Sequence, residues 1–257
     1  MKTAVHAEWT KLRTVPSTGW LLIAVVALTV GASATATAIV RCPATCDADT
    51  TKLSLTGIML GQAAVAALAV VIITGEYGSG MIRVSLAAVP RRSALLAAKA
   101  VVVTLVVLAA GTISVLGSML AGRLLLPGNG FNTAHHFTAL SVLHGATLRA
   151  AVGSVLYLVL IALFTLGLST ALRDSGLATA VVLCVLYVIP LVSDVMLSSV
   201  WRHRLDRWAP VNAGLAIQAT RNIGKLPIGP WPGLAVLGLW TAAALAGGWI
   251  VLRLRDA

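Results

Sequence analysis

The chain alternates between long apolar stretches and short polar connections. Six stretches each hold about 20 mainly apolar residues, the length a helix needs to cross a hydrocarbon core about 30 Å thick. They are Gly19–Val40, Leu53–Thr74, Ala94–Ala121, Ala150–Leu172, Gly176–Ser198 and Pro232–Leu252. Only helices and closed barrels satisfy every backbone polar group in lipid, and the period-two alternation of barrel strands is absent. The pattern therefore predicts an all-α membrane protein with six transmembrane helices.

A shorter amphipathic pattern precedes the first stretch. Val5, Trp9 and Leu12 fall at helical spacing with charged residues opposite, which predicts an interfacial helix over residues 2–14. A solvated tail that is amphipathic by chance is the alternative.

A second short apolar run lies in the longest connection, residues 199–231, between the fifth and sixth stretches. Val211–Ala219 is too short to cross a bilayer, so it predicts a re-entrant or interfacial segment. No internal repeat of about 20–50 residues divides the chain, so residues 1–257 are predicted to form one membrane domain.

The charge distribution orients these helices. An even number of spans puts both termini on one side, which then carries ten basic residues against nine on the other. Five of those nine lie in residues 199–231, and long loops translocate with little regard to charge, so the comparison becomes ten against four. Both termini are therefore predicted to be cytoplasmic, in a multi-pass protein of the cell membrane.

Composition agrees with this class. Hydrophobic residues make up 58% of the chain and charged residues 11%, with a mean hydropathy of +0.94. The net charge of +11 is explained by basic residues that flank the helices and meet anionic lipid head groups. No basic region outside the membrane is large enough to bind nucleic acid, which is excluded as a partner.

The connection between the second and third spans is unusually polar. The sequence GEYGSGMIRVSLAAVPRRSALLAAK runs from Gly75 to Lys99 and lies on the predicted cytoplasmic side. Within it, Met81, Ile82, Leu86 and Val89 recur at near-helical spacing. A short amphipathic helix in residues 75–93 can transmit force between a soluble partner and the membrane; the alternative is an interfacial helix without a partner.

Few side chains have the types and spacing of a catalytic or metal site. Cys42 and Cys46 lie on the predicted outer side, where they form either a disulfide or free thiols, and two sulfurs do not complete a zinc site. The loop residues His135, His136 and His144 lack nearby carboxylate ligands, so no metal is expected.

Ionisable residues near the ends of the spans have alternative interpretations. Asp194 either serves a transport pathway or, near the outer end of its span, is exposed to head groups or pairs with Arg202. Lys99 is expected to extend to the inner interface as an anchor. Gly57 and Gly61, at GxxxG spacing, predict a close helix–helix contact within the fold.

No GxxxxGK[ST] phosphate-binding loop and no catalytic triad on one side of the membrane occur in the sequence. Catalysis by this chain is therefore not expected, and the chain is predicted not to be an enzyme.

Three segments resemble the permease subunits of type-2 ABC transporters of actinobacteria. They are EWTKLRT at Glu8–Thr14, GEYGSGMIRVSLAAVPRR from Gly75, and RWAPVNAG at Arg207–Gly214. The six-span layout agrees, so the resemblance covers essentially the whole chain. It implies an ATP-driven exporter in a bacterial plasma membrane, built from two identical or related permease chains. ATP and Mg²⁺ would bind a separate ATPase subunit, and no cofactor would bind this chain.

The resemblance also implies where the ATPase subunit docks. By position, the contact residues would be Glu8, Trp9, Lys11, Glu76, Tyr77, Gly78, Ser79, Met81, Ile82 and Arg83. The family places short re-entrant helices between the last two spans on the outer side, in agreement with Val211–Ala219. The cargo is not identified; an apolar or amphipathic molecule suits spans of this composition.

Two other classes share part of this pattern. An ion-coupled secondary transporter needs buried ionisable residues near the bilayer midplane, and the centres of these spans have none. A membrane scaffold or immunity-type protein without transport activity has the same sequence features as the permease, so the sequence does not separate these two.

Overall fold

The protein is helical in every regular element that the structure describes. A computed structural model describes residues 2–42, 46–78, 92–131, 145–196 and 199–254. The helices in chain order are α1 Lys2–Thr14, α2 Pro16–Ile39, α3 Thr50–Ser54, α4 Ile58–Gly78, α5 Arg92–Leu125, α6 Gly145–Leu172, α7 Ser175–Leu183, α8 Ile189–Met196, α9 Ser199–Trp208, α10 Pro210–Leu215 and α11 Pro230–Leu254. A π turn at Cys184–Val188 joins α7 to α8. Short 3₁₀ turns occur at Pro127–Asn129, Ala216–Gln218 and Ile223–Lys225.

Six helical segments in the described residues are long and apolar enough to cross a membrane. They are Pro16–Ile39, Ile58–Gly75, Ser93–Leu125, Gly145–Leu172, Ser175–Ser193 and Pro230–Leu254. The predicted number of spans is therefore confirmed, and the chain is a multi-pass helical membrane protein. Helix α5, with 34 residues, is about 50 Å long at about 1.5 Å per residue, so it extends past the hydrocarbon core.

Two spans differ from their predicted form. The second was expected to begin at Leu53, but Asp49 caps the separate helix α3 and the chain turns before α4 begins at Ile58. The fifth was expected to be a continuous helix as far as Ser198. The π turn at Cys184–Val188 instead interrupts it. Both differences come from local hydrogen bonding, which apolar length does not reveal.

Helix α6 forms the centre of the bundle. About two thirds of its apolar stretch is buried (67%), against 17% for Ser175–Ser193. Tyr157, Leu158 and Ile161 of α6 have no exposed surface and belong to the largest hydrophobic cluster. The helices α4, α5 and α11 pack around α6, which therefore has protein neighbours on most of its circumference.

The predicted close contact at Gly57 and Gly61 is confirmed, and it lies between α2 and α4. A side-chain carbon on Gly57 would overlap the Thr29 carbonyl, and one on Gly61 would overlap the Thr29 hydroxyl. The Gly57 amide also donates to the Ser33 hydroxyl at 3.0 Å. Small residues here let the two backbones approach closely enough for this polar contact.

Helix α1 and the last turns of α11 lie at the same end of the bundle. Leu166 near the end of α6 packs with Ile73 and Leu96. Beyond it, the Arg173 guanidinium donates to the carbonyl of Val251, near the end of α11, at 3.3 Å. We call this the α1 end and the opposite one the far end. A tight turn at Arg173 and Asp174 joins α6 to α7 at the α1 end.

The run predicted to be re-entrant folds as α10 and the 3₁₀ turn that follows it. Val211, Ala213 and Ile217 are buried against α6 and α11. Gly214 lies against the ring of Tyr157, so this connection reaches the packed interior of the bundle. Its depth relative to a bilayer stays a prediction.

Candidate functional site

The candidate site at the α1 end is built on α1, which lies across the first turns of α5. Val5 and Leu12 pack against the main hydrophobic cluster. Trp9 is 41% exposed and Trp20 is 72% exposed. Two tryptophans facing outward at the same end of the bundle suit the head-group region of a membrane, where aromatic side chains act as anchors.

A buried ion pair attaches α1 to α5. The Lys99 ammonium lies 2.7 Å from Oε2 of Glu8, and the two side chains are 1% and 7% exposed. Lys99 also lies 3.5 Å from the carbonyl oxygen of Ile72 in α4. Lys11, one turn along α1, lies 3.3 Å from the other Glu8 oxygen. The pair therefore joins α1, α4 and α5 at a single point.

The expectation that Lys99 extends to the lipid interface is wrong. Its side chain is among the largest fully buried ones. The cause is that Lys99 lies on the face of α5 covered by α1, where the Glu8 carboxylate supplies a partner. Opposite charges that hydrogen-bond in this way offset much of the cost of burial.

The predicted docking residues on α1 differ in burial, and the rest have side chains outside the described residues. Glu8 is buried, Lys11 is partly exposed and Trp9 is exposed. Glu76, Tyr77 and Gly78 form the last residues of α4, and their side chains lie outside the described residues. Ser79, Met81, Ile82 and Arg83 lie outside them altogether. Contact with an ATPase subunit stays a prediction for the whole set.

At the far end, a disulfide joins Cys42 and Cys46, whose Cα atoms are 5.9 Å apart. The Cys42 amide donates to the carbonyl of Asn129 at 2.9 Å, and Cys42 packs with Leu126 and Phe131. The disulfide therefore belongs to a small cluster that holds the end of α2 against the end of α5.

Asp49 links this cluster to the segment that precedes α11. The sequence did not identify Asp49 as a candidate site residue. Its carboxylate accepts hydrogen bonds from the Thr220 amide at 2.5 Å, the Thr220 hydroxyl at 2.6 Å and the Arg221 amide at 2.9 Å. It also caps α3 through the Lys52 amide at 3.1 Å. Burial alone would raise the pKa of this carboxyl, but hydrogen bonds from Thr220, Lys52 and Arg221 outweigh burial and lower it.

Inside the bundle, the sequence analysis also missed a group of three polar side chains. The Tyr157 hydroxyl of α6 donates to Oε1 of Gln62 in α4, and both side chains have no exposed surface. Tyr187, on the π turn, donates to the carbonyl of Met59 at 2.5 Å. The available signal was Gln62 itself, a strong hydrogen-bonding residue in an otherwise apolar span.

Other predicted candidates lie where the structure gives no side-chain contacts. The side chains of Asp194 and Arg202 lie outside the described residues, and so do His135, His136 and His144. Within the ranges that are described, no three His, Cys, Asp or Glu side chains form a group able to hold a metal ion.

Comparison with protein-family models and with curated proteins finds no match for this chain. What is established is the class, a multi-pass protein with six apolar helices.

Proposed function

We propose that this chain is the membrane-spanning permease subunit of an ATP-driven exporter of the type-2 ABC class, in a bacterial plasma membrane. A separate ATPase subunit would hold ATP and Mg²⁺ and dock at the α1 end, which would face the cytoplasm. Two permease chains, identical or related, would form the path for an apolar or amphipathic cargo. The resemblance of the three sequence segments motivates this class.

The observation that carries the proposal is the junction made by Glu8 and Lys99. Residues 79–91 connect the end of α4 to the start of α5, and this connection contains the most specific part of the resemblance. Lys99 lies two turns into α5 and also contacts Ile72 near the end of α4. Lys99 also binds Glu8, so α1 is held beside both ends of residues 79–91.

This junction suits the transmission of motion. A displacement of residues 79–91 acts directly on α4 and α5, which they join. It acts on α1 through the ion pair, and then on α2, because Val15 alone separates α1 from α2. A docked ATPase subunit would in this way move three spans together.

The test is reconstitution with a candidate P-loop ATPase subunit from the same organism, beginning with any that is encoded beside this chain's gene. We expect the permease to stimulate ATP hydrolysis in lipid nanodiscs, and Arg83→Glu to abolish that stimulation by repelling the docked surface. Arg221→Glu, at the far end, is the matched control and should leave stimulation intact.

Three results would contradict the proposal. One is ATP hydrolysis by the purified permease alone. Another is unchanged stimulation in the Arg83→Glu variant. The third is an equal loss in both variants, because a docking surface at the α1 end cannot include Arg221.

A further inference from the structure

An apolar groove of about 300 Å³ lies between α5 and α6. Val115 and Ala151 are buried at its base, whereas Leu116 and Val152 in its walls are 52% and 46% exposed, so the groove is accessible from the lipid side. The hydroxyl of Thr112, the polar residue of the lining, already donates to a carbonyl of its own helix at 2.7 Å. A ligand in this groove would therefore meet hydrocarbon.

The dimensions of the groove match those of a single acyl chain. Its lining runs from Leu108 to Leu116 on α5 and from Leu148 to Leu156 on α6, which is about 12 Å along each helix. A volume of about 300 Å³ over that length corresponds to a cross-section of about 25 Å². A hydrocarbon chain needs about 20 Å², because non-bonded carbons approach to about 4 Å. A helix with its side chains is about 10–12 Å across and needs about 80 Å² or more, so a helix of a second copy does not fit.

Two arginines lie toward the far end from this groove. Arg123 follows Leu116 by seven residues, and Arg149 precedes Leu156 by seven. Seven residues are about two helical turns, so each arginine lies on nearly the same helix face as a lining leucine. Arg123 is exposed, and Arg149 is half-buried and donates to the Ala219 carbonyl at 2.6 Å. The groove and the two guanidinium groups therefore follow one another along the same surface.

The positive charge at this end of α5 and α6 is not balanced by these helices. Neither helix contains an aspartate or a glutamate, and neither Arg123 nor Arg149 forms an ion pair in the described residues. A phosphate beside the groove would supply the counter-charge and accept hydrogen bonds from the guanidinium groups.

We propose that this groove binds one acyl chain of an anionic phospholipid, whose phosphate lies against Arg123 and Arg149. The chain fills the space between α5 and α6, and the two arginines select the head group. The site requires neither the ATPase subunit nor a transported cargo, so it goes beyond the exporter assignment and does not rest on it.

The test uses the full chain in nanodiscs of dioleoylphosphatidylcholine. The probe is phosphatidylglycerol with a photoreactive diazirine midway along one acyl chain, and phosphatidylcholine with the same chain is the matched probe. Mass spectrometry of the illuminated protein locates the adducts. We expect the phosphatidylglycerol adduct on the groove residues Leu116 and Val152 to saturate as the probe fraction rises, whereas general lipid contact grows in proportion to that fraction. Unlabelled dioleoylphosphatidylglycerol should displace the probe, and glycerol phosphate, which lacks the chain, should not.

One pair of variants tests the groove. Val152→Trp fills the space between the helices and should remove the saturable adduct from Leu116. Val101→Trp is the matched control, because Val101 is a 39% exposed valine of α5 that does not line the groove. That variant should keep the adduct.

A second pair tests the charge. Arg123→Gln should raise the probe fraction at half-saturation by about fivefold, the attraction of one arginine near a membrane surface for anionic lipid. Arg207→Gln removes the same charge from an exposed position on α9 and should leave half-saturation unchanged.

An adduct that does not saturate, or an equal response to the phosphatidylcholine probe, would overturn the proposal. So would displacement by glycerol phosphate, an adduct that survives Val152→Trp, or a half-saturation that Arg123→Gln leaves unchanged. Exclusion of both probes from the groove, as a second copy of the chain seated there would cause, would overturn it as well. No ATPase subunit is present in this experiment, so its failure is distinct from failure of the exporter assignment.

Discussion

Glu8 and Lys99 show how one contact can determine the position of an element. Their side chains are almost fully buried, so neither charge is hydrated once the other is removed. Breaking a buried pair by removing one partner is far more costly than replacing both partners together. Lys11 contacts the same carboxylate but is 35% exposed, so its contribution is screened by solvent.

We predict that Lys99→Met lowers the free energy of unfolding by about 3–5 kcal/mol, measured by denaturant titration in micelles. The double variant Glu8→Gln/Lys99→Met should recover most of that loss, since no unpaired charge stays buried. Lys11→Met is the control, with an expected loss of about 1 kcal/mol or less. A Lys11 effect as large as that of Lys99 would contradict the role of the buried pair.

Asp49 provides a pH-dependent contact at the residue scale. Because its pKa is lowered in the folded protein, its contribution to stability is complete above the carboxyl's ordinary pKa of about 4. That contribution is lost as the pH falls through the lowered folded value. The donors from Thr220 and Arg221 then face a neutral carboxyl.

We therefore expect the Thr220 and Arg221 amides to lose protection against hydrogen exchange below about pH 4, after correction for the intrinsic rate. In the Asp49→Asn variant, these two amides should already show at neutral pH the reduced protection that the wild type shows at low pH. Protection of these amides in the variant equal to that of the wild type would contradict this account.

At the scale of elements, α6 and α11 contact one another through small residues. A side-chain carbon on Gly248 of α11 would lie 2.6 Å from the Gly167 carbonyl oxygen of α6, whereas the neighbouring Gly247 has open space around it. The two glycines have the same helical context and differ in what they face. They therefore form a matched pair for measuring how close packing contributes to stability.

We predict that Gly248→Ala destabilises the protein by about 1–3 kcal/mol, because the helices must separate to accept the methyl group. Gly247→Ala should be neutral or stabilising by about 0.5–1 kcal/mol, since alanine favours a helix. Thermal unfolding of both variants in one detergent makes the comparison. Equal destabilisation would mean that helix propensity, not the contact with α6, decides the result.

The sequence predicts the features that depend on apolar length and misses those that depend on particular hydrogen bonds and on packing. Apolar length predicts the six spans, because the bilayer thickness fixes that length. The separate helix α3 depends on a side-chain cap by Asp49, and the π turn on one displaced hydrogen bond, so neither changes apolar length. The partner of Lys99 is 91 residues away in sequence and is known only from the packing of α1 on α5.

The polar residues inside the bundle follow the same rule. An isolated glutamine in an apolar span marks a polar contact, but nothing local says which helix supplies the partner. Gln62 meets Tyr157 at a separation of 95 residues, and Met59 meets Tyr187 at 128. Periodicity reports which face of a helix is apolar, and tertiary packing decides which polar residues meet.

For the whole molecule, the six spans make the orientation testable with two positions. Thr10 lies on α1, and Lys225 lies on the connection before α11; both are exposed. With both termini in the cytoplasm, Thr10 lies inside the cell and Lys225 outside. The background for labelling is Cys184→Ser, because Cys184 is the free thiol of the described residues while Cys42 and Cys46 form a disulfide.

In that background, we predict that a membrane-impermeant maleimide labels the Lys225→Cys variant in intact cells. It should label the Thr10→Cys variant only after the membrane is permeabilised.

The reverse pattern would place the α1 end outside the cell, where an ATP-hydrolysing partner would find no ATP. That result would contradict the exporter assignment as well as the orientation. Labelling of both variants in intact cells would contradict the odd number of membrane crossings between them, because Thr10 precedes the first span and Lys225 follows the fifth. The orientation is therefore the property on which the docking surface, the direction of export and the place of the disulfide depend together.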